Sequence, residues 1–487
     1  MSFASLHLTL PNQGLHLSQD TLTLYRHVLV NQIMEAEDVG LRLEKISACL
    51  HTLNRAPLQG EVRQELTENL IQYYLIFIQQ TPLKTDRGLS ASFLSECNRE
   101  LSYASKLLLR DCTPRSKEEG ARFLYWALSA LSIHLNDFSS QYRSQPGVLW
   151  GELHRLYQFA SQRRLTDFQA LAPDRGDIET RYKHTLLLSA SQTEHLSHTE
   201  RAILDVYLGH WAFRAGLGHQ ERRDFNTRYF YIDTDANRGI QTAGQIKGAG
   251  NDESILVLNP LPVIEQARQH MKNQRQGLAP EKLGLPAQID SIDLFMTLKK
   301  AIAAWKQAGS RRFEREAVDQ HTQAAIGLHS VHQYLRVNGT RGEHLANIET
   351  LNASKQGACI RLEDDTICLN VGDVLIHEGL LDSDHSEGRL GIIRWMHRNS
   401  RGRLCGFEYL TGNLQPVAVR FKDHLSEAVL ISAQGNDSLI THKGYCTSNS
   451  SIRLKNFGHG FSLEARAQSL LQRGETTDQI RLKRSSA

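Results

Sequence analysis

The residues best placed to do chemistry fall in two short motifs about two-thirds of the way along the 487-residue chain. Arg311-Arg312-Phe313-Glu314-Arg315 supplies an Arg-x-x-x-Arg, and Asn352-Ala353-Ser354-Lys355-Gln356-Gly357 supplies an Asn-x-Ser-x-x-Gly. A guanidinium is planar and always charged. Its fork of donors meets two neighbouring acceptors at once, on a phosphate or on the O6/N7 edge of guanine. Asn352 offers an amide donor and a carbonyl acceptor, and Ser354 a small hydroxyl. In an extended segment residues two apart share a face, so both can meet one ligand. Gly357 lets the chain bend, or lets a ligand approach the backbone closely. Each motif alone is weak, because helix surfaces produce the first by chance and turns the second. The first motif can also be framed with Arg312 in place of Arg311. The preferred frame is Arg311 and Arg315, with Arg312 assisting.

What must position these residues reads as β structure. From about residue 310 onward short apolar runs alternate with turn signals: Ala358–Leu362, Asp373–Ile376, Leu390–Trp395, Cys405–Leu410 and Pro416–Val419. Such spacing suggests a small barrel. With the two motifs in this order, and with Val371-Gly372-Asp373-Val374-Leu375, Gly391–Trp395 and Gly406–Leu410 behind them, residues 308–425 resemble a PilZ domain. That resemblance implies a six-stranded antiparallel β-barrel acting as a receptor for cyclic di-GMP. It carries Arg311 and Arg315 over as the ligand-clamping arginines, and Asn352, Ser354 and Gly357 as the second contact. The gap from Arg315 to Asn352 is longer than the family pattern leads one to expect. It holds Gly327-Leu328-His329-Ser330-Val331-His332, an inserted turn or helix.

The rest of the chain sets the fold class as α+β and multidomain. Residues 1–220 are mainly helical in pattern, with apolar residues near a 3.6 period at Leu22–Met34, Leu66–Phe77, Phe123–Leu131 and Trp150–Phe159. Ser197-x-x-Glu200 ahead of Ala202-Ile203-Leu204 reads as a capping box. No family is named for this helical half, which is expected to bind a protein partner. Residues 221–307 read as a small mixed α/β segment, with strands near Arg228–Ile232 and Ile255–Leu258 and helices at Pro262–Met271 and Ser291–Ala308. Residues 426–487 carry weaker strand signals, such as Ala428–Ile431 and Ile480–Leu482. They are expected to extend the barrel or pack beside it, ending in a basic tail, Arg481-Leu482-Lys483-Arg484.

Composition narrows the function classes. Net charge is +3, the hydrophobic fraction 40% and the aromatic fraction 7%, so no global basic field with interleaved aromatics points to nucleic acid. The seven cysteines are scattered, none in a Cys-x-x-Cys, which suits free thiols in a reducing compartment. The N-terminus lacks the pattern of a signal peptide. Leu70–Leu83 is uncharged but short of the roughly 20 residues a bilayer span needs. The location expected is cytoplasmic, without membrane insertion. Other candidate sites are weaker. His321, His329 and His332 cluster, and His195 pairs with His198, but no nearby Cys or carboxylate completes a metal-ligand spacing. Gly244–Gly250 lacks the Gly-Lys-Ser/Thr ending of a phosphate loop. Asp233, Asp235, Asp252 and Glu253 sit at turn-like positions. No catalytic motif stands out, and neither a metal nor a cofactor is expected. The leading expectation is a non-enzymatic effector that binds cyclic di-GMP and relays it to the helical region. The alternative is an adaptor whose barrel ignores nucleotides.

Overall fold

The computed structural model describes residues 3, 6–26, 33, 38–80, 91–168, 176–219, 226–246, 254–307, 315–337, 345–362, 364, 366–377, 389–433, 436–447, 449–456 and 462–484. The chain forms two compact units, one of residues 1–193 with 201–308, the other of residues 194–200 with 309–487.

The first unit is built on helices α1 (Gln19–Leu24), α2 (Val39–Arg55), α3 (Gly60–Gln80), α4 (Ala91–Asp111), α5 (Lys117–Ser140), α6 (Gly147–Gln162) and α7 (Ile178–Ala190), with most of α8 (His198–Trp211). Ser18, Asp38, Ser116 and Asp177 cap α1, α2, α5 and α7, each side chain accepting from a first-turn N–H. Helix α5 is buried on nearly every side and is the central helix, packed against α4, α6 and α7. Lys106 of α4 and Glu152 of α6 form a fully buried ion pair at 3.0 Å. The other Glu152 oxygen accepts from the backbone N–H of Thr9 and so holds the N-terminal segment. The segment read as a mixed α/β module belongs to this unit. Its strands β1 (Gly216–His219), β2 (Phe230–Asp233) and β3 (Ile255–Asn259) pair antiparallel in the order β1-β3-β2. Helices α9 (Leu261–Arg275) and α10 (Ser291–Trp305) follow, and the buried indole of Trp305 donates to the Leu187 carbonyl of α7 at 3.0 Å.

The second unit holds two closed antiparallel barrels where the sequence suggested one barrel and an extension. The first comprises β4 (Glu316–Ile326), β5 (Leu345–Ser354), β6 (Gly357–Leu362), β7 (Val374–His377), β8 (Arg389–Asn399) and β9 (Gly402–Leu410), closed in the order β4-β5-β6-β9-β8-β7. The second comprises β10 (Asn413–Phe421), β11 (His424–Ser432), β12 (Ser438–His442), β13 (Ser451–Asn456), β14 (Ser462–Arg473) and β15 (Thr477–Arg484), closed in the order β10-β11-β12-β15-β14-β13. Counting strands within each barrel, both run 1-2-3-6-5-4, so the two share one topology. Pro416–Val419 lies in β10 of the second barrel, so the first barrel ends at Leu410 rather than near residue 425. The basic ending is not a tail but strand β15. Ile480 and Leu482 are buried while Arg481 and Lys483 point to solvent.

The long gap between the motifs is filled by β4 and by helix α11 (Leu328–Arg336), which starts after Gly327 at φ +84°. Leu328 and Val331 of α11, Val374, Ile376, Leu390 and Ile392 of the first barrel, and Val429, Ile431 and Ile440 of the second form one shared core. A backbone contact reinforces it. A Cβ on Gly372 would lie 2.3 Å from the Cα of Gly474, so these two glycines let the loops before β7 and before β15 touch. Thr477 Oγ1 donates to the Gly372 carbonyl at 2.9 Å, and Thr476 Oγ1 to Asp373 at 2.5 Å.

Candidate ligand-binding site

Arg311 and Arg312 lie outside the described residues. Arg315 stands immediately before β4, and its guanidinium donates to Asn352 Oδ1 at 3.1 Å. The pairing of β4 with β5 makes this possible, because Ala317 lies opposite Asn352 in register. Bulges between Ala317 and Gln320 and between Thr350 and Asn352 set the local alignment.

Ser354 and Gly357 form the turn between β5 and β6. The Ser354 hydroxyl donates to the Gly357 carbonyl at 3.1 Å and accepts from the Gln356 N–H at 3.4 Å. Gly357 is opposite Glu408 of β9, and a Cβ there would sit 2.0 Å from the Phe407 carbonyl oxygen. Sequence reasoning assigned that glycine to a bend or to ligand approach. In the fold it admits the close passage of β9.

Sheet register arranges an outer face around these residues. Cross-strand partners share a face, giving one row Ser354–Gly357–Glu408 and a second row Asn352–Cys359–Gly406. The half-buried indole of Trp395 lies over Gly406, where a Cβ would be 1.9 Å from its Nε1. Cys359, in the second row, is nonetheless buried. Burial pushes its thiol up, against the opposing influence of Arg315 and Arg361. At the rim, Arg394 of β8 donates to Glu408 at 2.8 Å and also to Gln472 of β14 in the second barrel. The fold thus places Trp395, Arg394 and Glu408 beside the motif residues, a neighbourhood the sequence does not single out. The bulge between Ile393 and Trp395 shifts the alternation of β8, so spacing alone does not show which of its side chains share a face with the motifs.

The other candidates resolve differently. His329 and His332 of α11 do meet a carboxylate, Glu427 of β11, at 3.0 and 3.7 Å, and His442 of β12 approaches it at 3.6 Å. Burial pushes His332 down despite Glu427. His321 lies opposite Glu349 on β5. Among the described residues, the group with ligand atoms close enough to share an ion is His51, Glu96 and Glu100, but Arg55 and Arg99 already pair with those carboxylates. His195 lies in a 3-10 turn and His198 opens α8. Asp233 accepts from the Asp235 N–H and the Ser254 hydroxyl, the turn role expected of it. Gly244 falls in a single helical turn, Ala243–Ile246. Residues 247–250, Asp252 and Glu253 lie outside the described residues. All seven cysteines are free, and Cys368 is the exposed one. Among the described residues no helix is long and apolar enough to cross a membrane.

One comparison with known proteins falls on the helical half, for which the sequence suggests no family. The family described as "Cyclic-di-GMP receptor FimW, N-terminal domain" matches residues 30–221. The cyclic-di-GMP receptor FimW of Pseudomonas aeruginosa is 23% identical over 321 residues, covering 61% of this chain. The match covers 51% of FimW, so the chain spans about half the length of that curated relative. Among solved structures, the PlzA protein of Borreliella burgdorferi in complex with c-di-GMP aligns with 35% of this chain and 88% of its own. The identity is 8% and the TM-score 0.14, a likeness that carries no argument. The PilZ resemblance lies in the C-terminal region, whereas the family match falls on the N-terminal one.

Proposed function

We propose that this chain is a cytoplasmic receptor for cyclic di-GMP that binds its ligand on the PilZ-like β4–β9 barrel, catalyses nothing, and relays occupancy to a partner-binding helical region. The observation that carries this reading is the Arg315–Asn352 contact, which brings the two motifs together across 37 residues. The match of residues 30–221 to a domain named for a cyclic-di-GMP receptor supports it from the other half of the chain. Arg311, Arg312 and Arg315 would take phosphate and the guanine O6/N7 edge, with Asn352 completing the contact. The Trp395 indole offers a plane on which a base can stack.

The adaptor alternative is favoured by one fact. Ser354 and Gly357 already have structural tasks in the β5–β6 turn, so their presence does not by itself require a ligand. Calorimetric titration with cyclic di-GMP separates the two. The receptor reading expects saturable binding, and a Kd raised about 10- to 100-fold in Arg315→Ala and in Asn352→Ala, the weight of one or two charge-assisted hydrogen bonds. Lack of binding at tens of micromolar would overturn it in favour of the adaptor, and binding undiminished in both variants would overturn the assignment of the ligand to these residues.

A further inference from the structure

A bound guanine would show two faces to a protein. Its O6/N7 edge accepts and suits arginine, whereas its N1–H and 2-amino group donate and require a paired acceptor. The motif residues supply mainly donors. The acceptor lies on the next strand.

We propose that Glu408 reads the N1–H/2-amino edge of the guanine, positioned by Arg394. This rests on the cyclic di-GMP reading above. Glu408 completes the row Ser354–Gly357–Glu408 across β5, β6 and β9. It is therefore two strand spacings from Ser354, about 10 Å, within the span of a base and its ribose phosphate. Its side chain is 50% exposed on the outer face. Arg394 Nε and Nη2 both lie 2.8 Å from the same oxygen, Oε2, so Arg394 leaves the two lone pairs of Oε1 to accept from N1–H and the 2-amino group. An ionised carboxylate accepts only, which is what a pair of ring and amino N–H groups demands. Arg394 also offsets the repulsion between Glu408 and a ligand that carries two phosphates. Its second bond, to Gln472 of β14, ties the rotamer of Arg394 to the second barrel. Glu408 is thus a binding residue and Arg394 a positioning one.

The test compares cyclic di-GMP with its inosine analogue, cyclic di-IMP, which keeps N1–H but lacks the 2-amino group. Full-length protein is titrated with both by calorimetry, and circular dichroism checks that each variant is folded. The unsubstituted chain is expected to prefer cyclic di-GMP by about tenfold or more. Glu408→Ala should lower that preference to about twofold or less, a coupling that a general loss of affinity would not produce. Glu408→Gln, which preserves shape, should fall between. Arg394→Ala should narrow the preference while binding of cyclic di-IMP changes less. An unchanged preference in Glu408→Ala overturns the proposal and leaves the receptor reading standing. Absence of cyclic di-GMP binding by the unsubstituted chain overturns both.

Discussion

Gly357 faces a constraint that comes from its neighbour strand. With the Phe407 carbonyl 2.0 Å from where a Cβ would lie, and with that atom part of the β9 backbone, there is no flexible group to move aside. Gly357→Ala is therefore expected to destabilise the first barrel by about 1–3 kcal/mol, the range of overpacking strain. A thermal melt of the variant, followed by a cyclic di-GMP titration below its melting temperature, checks this. Arg315→Ala should show the opposite pattern, near-normal melting with weakened binding. At this scale the motif residues were legible in sequence, because residue type and order suffice to name an Arg-x-x-x-Arg and an Asn-x-Ser-x-x-Gly. Their division of labour was not. It depends on which backbone passes beside Gly357 and on where the Ser354 hydroxyl turns, and neither is encoded in spacing.

Elements were easiest to read where a local signal decides them. The predicted capping box is present in full: Ser197 N–H donates to Glu200 Oε2 at 2.9 Å, and Glu200 N–H to Ser197 Oγ at 3.3 Å. A second carboxylate adds to it, since Thr199 gives its N–H and its hydroxyl to Glu475 at 3.1 and 2.6 Å. Both acidic groups lie where the helix dipole favours negative charge. Ser197→Ala should lower stability by about 1 kcal/mol, read as a shifted urea midpoint, and Glu475→Gln should add to the loss. Strands of the second barrel were harder to read. Ser451–Asn456 alternates, with Ile452 and Leu454 inward, but Arg453 and Lys455, which alternate with them, resemble a solvated loop. On β14 the inward positions Ala465 and Ala467 are small, which weakens the apolar signal. The basic run Arg481–Arg484 reads as a tail, although Ile480–Leu482 carries a weak strand signal. Lysine and arginine on the outer face dominate its composition, while Ile480 and Leu482 carry its buried face.

For the molecule as a whole, two buried histidines of the helical unit set an acid limit. Burial pushes His134 down to about 4, with Lys106 and Arg99 adding to the effect. Burial likewise pushes His154 to about 4, against the pull of the Arg238 carbonyl and Asp233. Between pH 6.5 and 4 the unfolded chain takes up protons at these positions and the folded chain does not. Stability therefore rises with pH across that window, is fully present above pH 6.5, and falls on acidification. Each histidine contributes on the order of 3 kcal/mol to the full swing. Urea midpoints measured from pH 7 to 4.5 should fall steadily. His134→Asn should flatten the curve, and an unchanged slope would refute the assignment. The α+β class, the helical half and one barrel were legible from sequence. The second barrel's closure was not, because ring closure pairs β10 with β13 and β12 with β15, strands far apart in the chain.

The shared core between the barrels also bears on how the chain is made. Synthesis runs from the N-terminus, so the first barrel leaves the ribosome while β11 and β12 are still unmade. Until they arrive, Val374, Ile376, Leu390 and Ile392 lack their covering residues Val429, Ile431 and Ile440. Translating the second barrel takes roughly 4–15 s at cellular elongation rates. During that interval the nascent chain leaves an apolar sheet face uncovered, the kind of surface a holding chaperone binds.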